Sequence, residues 1–139
     1  MSLEIFRLLT DFGLVVLVWI VQRIVYPSFL HYNSKELIKW HRIYTSRFTF
    51  IVFPLMLGQL GISMYQLFLE INLYTVLSFV IIGLIWLSTM LQFIPIHTQI
   101  SKGKVNQNML NSLVKKNWIR TFLWTALFLY SMLVTYIKI

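Results

Sequence analysis

Four long apolar runs separated by short polar connections dominate the chain. They extend from about Phe12 to Leu30, Phe48 to Leu69, Leu73 to Ile96 and Trp118 to Ile137, and each reaches the roughly 20 residues a helix needs to cross a bilayer. Lipid offers the backbone no hydrogen bonds, so each run predicts a helix, and the alternating stretches of about ten residues that suit a membrane barrel do not occur. The expected fold is all-α, a polytopic four-transmembrane-helix bundle forming one domain over 1–139. The first run differs from a signal peptide: Glu4 precedes Arg7, Gln22-Arg23 breaks the apolar core, and no small-residue cleavage site follows. It is expected to be retained.

Polar residues inside these helices recur at helical spacing. In the fourth, Asn117, Arg120, Thr121 and Trp124 fall at i, i+3, i+4 and i+7, a single face that should look toward protein. At the start of the second, His41, Tyr44, Thr45 and Phe48 repeat the spacing, with Arg47 three residues after Tyr44. The first contributes Trp19, Gln22 and Tyr26 on one face, with Arg23 beside them and Pro27 before His31. The third ends in Gln92, Pro95 and His97, with Trp86 deeper. All four helices are thus expected to place polar groups at one depth, and the stripes of the second and fourth to face each other.

Charge changes the picture by giving it a direction. All three histidines and ten of the twelve Lys/Arg residues lie in 23–47 and 97–120, around the first and third connections, whereas the second connection holds Glu70 and no base. The positive-inside rule puts connections one and three in the cytoplasm and both termini outside, in a multi-pass protein of the bacterial cytoplasmic (inner) membrane. The net charge of +8 then belongs to one face, as topogenesis and anionic lipid headgroups require, and does not imply nucleic acid. A hydrophobic content of 58% with only 12% charged residues fits the same class.

The two halves resemble each other. Leu37, Lys39, His41, Thr45 and Phe48 each stand 76 positions before Leu113, Lys115, Asn117, Thr121 and Trp124. Trp19, Gln22, Pro27 and His31 also echo Trp86, Gln92, Pro95 and His97. Two repeated helical hairpins are expected, related by an axis along the membrane normal, with a ligand favoured at their interface.

In combination, Gln22 with Tyr26-Pro27, Trp40-His41 with Tyr44 and Arg47, Pro54-Leu55-Met56-Leu57, Gln92 with Pro95 and His97, and Asn117-Trp118 with Arg120-Thr121 and Trp124 resemble a family of uncharacterised bacterial four-helix membrane proteins. The resemblance covers most of the chain and implies a fold without an activity. A fainter likeness is to the anthrone-oxygenase-like membrane proteins, from which this chain departs by having His97 where asparagine is usual and no histidine on the fourth helix.

Candidate chemistry is narrowed by composition. With four carboxylates, of which Glu4, Asp11 and Glu70 are expected toward the outer side, neither a carboxylate-bridged di-iron site nor a paired-carboxylate hydrolase can be assembled near the basic connections. There is no cysteine, hence no thiolate chemistry. The leading reading is a pocket near the cytoplasmic leaflet for an amphiphilic or anionic lipid-like ligand. Its head is bound by Gln22, Arg23, Tyr26, Arg47, Gln92, Asn117, Arg120, Thr121 and Trp124, and its tail lies among Trp19, Trp86 and Trp124. His41 with Tyr44 is the acid–base candidate if the ligand is acted upon. The alternative is that His31, His41 and His97 converge on haem iron or a transition metal, although no two have ligand-pair spacing. A third reading is a small subunit, or a homo-oligomer, packed through Phe48, Phe50, Phe53, Phe68 and Phe79 against other membrane proteins or lipids.

Overall fold

Every helix begins at a polar cap. In the computed structural model, which describes residues 2–138, the helices are α1 (Leu3–His31), α2 (Ser34–Leu69), α3 (Leu73–Ser101) and α4 (Gln107–Lys138), and no strand occurs among the described residues. The Asn33 side chain accepts from Glu36 N at 3.0 Å and Asn106 from Met109 N at 2.8 Å. Asn72 and Thr75 form a reciprocal capping box, and Ser2 accepts from Ile5 N. Each such cap contributes about 1 kcal/mol. The caps explain why three helices start far ahead of their apolar runs, at Leu3, Ser34 and Gln107 rather than near 12, 48 and 118. Hydropathy marks only the lipid-length portion, and the caps extend each helix through flanking polar turns. The third starts at Leu73 as expected but continues past Ile96 to Ser101. There Lys104 N bonds Gln99 O, Gly103 N bonds Ile100 O, and Gly103 takes a φ of 84°. That Schellman end needs a left-handed residue, which glycine supplies.

α1 packs between α2 and α4, and α3 closes the ring against the same two, so α2 and α4 stand diagonally opposite. All four helices are long and apolar enough to cross a membrane, and this is a multi-pass membrane protein. Its outer surface is apolar: Phe50 and Phe68 are more than four-fifths exposed. One buried cluster, including Phe29, Leu37, Phe93 and Leu113, lies toward the end holding the basic connections, here the basic end. A second, of Leu14, Met56, Ile82, Trp124 and Leu127, fills the middle.

The likeness between halves has a backbone counterpart. α1 widens into a π turn over Val21–Val25 and α3 over Thr89–Phe93, each with an i→i−5 bond (Tyr26 N to Val21 O, Ile94 N to Thr89 O) and each with a proline two residues past its end, Pro27 or Pro95. A proline cannot donate and its ring strikes the carbonyl four residues back, so the wider turn relieves both problems without ending the helix. In the second helices of the two hairpins, His41 and Asn117 are fully buried at matching positions, as are Leu37 and Leu113.

Candidate functional site

Between α2 and α3, toward the basic end, a cleft of about 450 Å³ opens sideways from the bundle. α2 supplies Tyr44, Thr45, Phe48, Thr49, Val52 and Met56 along one wall, and α3 supplies Thr89, Phe93, Ile94, His97, Thr98 and Ser101 along the other. Tyr26 of α1 and Arg120 of α4 form the back, and Lys102 stands at the mouth. Both π turns border it: Tyr26 follows the first, and Thr89 and Phe93 bound the second. A volume of this size lies within the usual range for small-molecule sites.

Arg120 is 8% exposed and has no carboxylate partner among the described residues; their one ion pair with a defined distance is elsewhere. Its guanidinium lies over the Phe93 ring at 4.2 Å and the Trp124 ring at 5.0 Å, and its Nε has no hydrogen-bond partner among the described residues. Aromatic faces offset part of the cost of burying a cation, and the Tyr26 hydroxyl is a hydrogen-bond partner of the guanidinium, but Nε is left unfilled.

Beside it runs a chain of four hydrogen-bonded groups. Tyr26 Oη is 3.0 Å from His97 Nε2, His97 Nδ1 is 2.7 Å from His41 Nε2, and His41 Nδ1 is 3.1 Å from Ser101 Oγ. His41 is fully buried, flanked by Phe29 and Tyr44 at ring distances of 5.7 and 6.4 Å. His97, rather than His41, borders the cleft.

Gln22 holds the α1–α4 seam behind the cleft. Its Oε1 accepts from Asn117 Nδ2 at 2.9 Å and Thr121 Oγ1 at 3.2 Å, while its Nε2 donates to Val114 O. Gln22, Asn117 and Thr121 therefore pack helices together, and Tyr26, Tyr44, His97 and Arg120 face the cleft. Trp124 is buried on the far side of Arg120 and donates from Nε1 to Gln59 Oε1 at 3.1 Å.

Other expected members lie apart. Arg23 and Arg47 are exposed on helix faces outside the cleft. Each follows an inward residue by one or three positions, and the actual helical phase turns it outward. Gln92 accepts from Ser88 Oγ within its own helix and does not line the cleft, where Phe93 stands instead. The stripes of α2 and α4 face each other although the helices are diagonal: Tyr44 and Phe48 share cavity linings with Arg120, and Trp124 donates across to Gln59 of α2. The apolar lining is Phe48, Val52, Met56 and Ile94 rather than Trp19 and Trp86. Trp19 bonds Thr125 Oγ1 and packs edge-on against Trp118 on the α1–α4 face. His31 is exposed and separate from the histidine pair, and no group of three His, Cys, Asp or Glu side chains with metal-binding geometry occurs among the described residues. The histidine-ligated reading is left with His41 and His97, whose four ring nitrogens are all engaged in hydrogen bonds.

The expectation of one polar depth is also corrected. Toward the opposite, terminal end, Asp11 accepts from Arg7 Nε through both oxygens at 2.9 Å, from Gln59 Nε2 at 2.6 Å and from Ser131 Oγ at 2.6 Å. Arg7 Nη1 donates to Gln66 Oε1 at 3.0 Å, and Tyr74 Oη is 3.0 Å from Ser131 Oγ. Arg7 and Asp11 are completely buried. A spacing signal was present: Gln59, Ser63 and Gln66 recur at i, i+4 and i+7 within an otherwise apolar helix.

Fold and site together define a four-helix multi-pass membrane protein with a lateral, arginine-backed cleft. No protein-family model, curated protein or solved structure matches the chain.

Proposed function

We propose that the protein binds the anionic oxygen head of an amphiphile in the cleft between α2 and α3. The observation that carries this reading is Arg120, a buried guanidinium with a free Nε and no carboxylate partner, at the back of an open cleft. An ionisable side chain at membrane depth is costly unless paired, and a planar guanidinium suits a carboxylate or phosphate. Tyr26, Tyr44 and Thr45 add hydroxyls beside the head, and the lateral opening lets a tail remain between Phe48, Val52 and Ile94 while entering from lipid. The positive-inside rule orients connections one and three to the cytoplasm and the termini outside, so that the cleft opens into the cytoplasmic leaflet. The resemblance to bacterial four-helix proteins supports a bacterial inner-membrane location.

The test is fluorescence titration of the full chain, in phosphatidylcholine nanodiscs, with cis-parinaric acid, a fluorescent long-chain carboxylic acid. Saturable binding is expected, weakened at least about tenfold by Arg120→Gln and by less than that in Arg120→Lys. Absence of binding, or equal binding by wild type and a folded Arg120→Gln protein, overturns the reading.

A further inference from the structure

We infer that Tyr26, His97, His41 and Ser101 form a proton relay from the back of the cleft to its mouth at the basic end of the bundle, and that the ligand is a weakly acidic amphiphile which loses its proton on binding. The inference rests on the amphiphile-binding reading and deepens it by specifying the ligand's acid–base class.

The geometry is a continuous series of contacts of 3.0, 2.7 and 3.1 Å from Tyr26 Oη to Ser101 Oγ. Each member both donates and accepts through positions that exchange a proton: a phenol, two imidazoles and an alcohol. The short contact between His41 Nε2 and His97 Nδ1 holds one proton between two neutral rings. If His97 Nδ1 carries it, His41 Nε2 is bare and His41 Nδ1 is protonated; if His41 Nε2 carries it, His97 Nε2 is protonated. The two rings therefore share a tautomer, both Nδ1–H or both Nε2–H, and change together. His41 is buried with both ring nitrogens engaged and does not line the cleft, so contact with the ligand does not explain its placement.

A neutral acid reaching the cleft from lipid donates its hydroxyl to Tyr26 Oη. Its proton passes to Tyr26, the Tyr26 proton to His97 Nε2, the His97 Nδ1 proton to His41 Nε2, the His41 Nδ1 proton to Ser101 Oγ, and the Ser101 proton to water. One proton leaves the ligand and one enters solvent. Every relay group stays neutral, both histidines end as Nε2–H, and Tyr26 finishes by donating to the new anion beside Arg120. Arg120 supplies the charge that favours this anion, whereas the neutral acid is the form that moves through lipid. Ser101 is partly exposed next to exposed Lys102 at the helix end, which provides the outlet.

The experiment uses the full chain with ¹⁵N-labelled imidazoles in phosphatidylcholine nanodiscs and oleic acid as the probe, with binding scored by displacement of cis-parinaric acid. Both His41 and His97 are expected to switch from Nδ1–H to Nε2–H on saturation. In Tyr26→Phe, which loses a hydroxyl beside the head and is titrated to its own saturation with oleic acid, the switch should be lost. Binding to wild type without a change of tautomer overturns the relay and leaves the binding reading standing. A switch that persists in Tyr26→Phe overturns the assigned path. Failure of wild type to bind oleic acid overturns both, and the wild-type spectra decide even where Tyr26→Phe does not fold.

Discussion

Arg7 and Asp11, one turn apart on α1, form a completely buried ion pair in which Arg7 Nε is shared between both carboxylate oxygens, and the carboxylate also joins α2 through Gln59 and α4 through Ser131. A local i,i+4 pair thus ties three helices together. Removing one partner leaves an uncompensated buried charge, whereas removing both does not. Asp11→Ala is therefore expected to destabilise the protein by about 3–5 kcal/mol, and Arg7→Met with Asp11→Leu to recover much of that loss. Thermal unfolding in one detergent, compared across the single and double variants, checks this; a double variant as unstable as Asp11→Ala contradicts it.

The Gln22 seam should show a smaller effect. Gln22→Leu removes bonds to Asn117, Thr121 and Val114 O and strands buried Asn117, whose Oδ1 already has no partner among the described residues. Hydrogen bonds between membrane helices are individually modest, so a loss of about 1–3 kcal/mol is expected. Melting temperature is the readout, and an unchanged value would mean that Gln22 does not hold α1 to α4.

How far these features were legible in the sequence depends on what each pattern records. Four helices and the inward stripe of Asn117, Arg120, Thr121 and Trp124 follow from hydropathy and a 3.6-residue period, because lipid makes helical phase a sharp divide between apolar and polar faces. Tyr26, just before Pro27, and His97, two residues after Pro95, were legible as candidates, but the π turns that aim them were not. The Arg7–Asp11 pair was hidden because two opposite charges near a chain end resemble a solvated flank; only packing against Gln59 and Ser131 reveals burial. Arg23 and Arg47 failed for the complementary reason, since proximity in sequence to Gln22 and Tyr44 does not set the face a side chain occupies.

Those two arginines provide a selective control. Arg23→Gln and Arg47→Gln, both at exposed positions, should change cis-parinaric acid affinity by less than about threefold, the scale expected for solvent-exposed charges. A loss from either as large as that from Arg120→Gln would assign the head to a different place.

The route of entry is testable at the cleft wall. Thr49 of α2 is exposed and borders the opening, so Thr49→Trp should fill the passage without disturbing the core. Affinity for cis-parinaric acid is expected to fall about tenfold or more with the melting temperature unchanged. Undiminished binding by this variant would show that the ligand does not enter between α2 and α3.

The most direct measurement is a high-resolution density map of the full chain in lipid nanodiscs loaded with oleic acid. The expected result is elongated density in the cleft, its head within hydrogen-bonding distance of Arg120 and Tyr26 and its tail passing between Phe48 and Ile94 toward lipid. A map in which side chains close the cleft and Arg120 bonds only to protein groups, or in which the acid lies elsewhere on the bundle, would contradict the account.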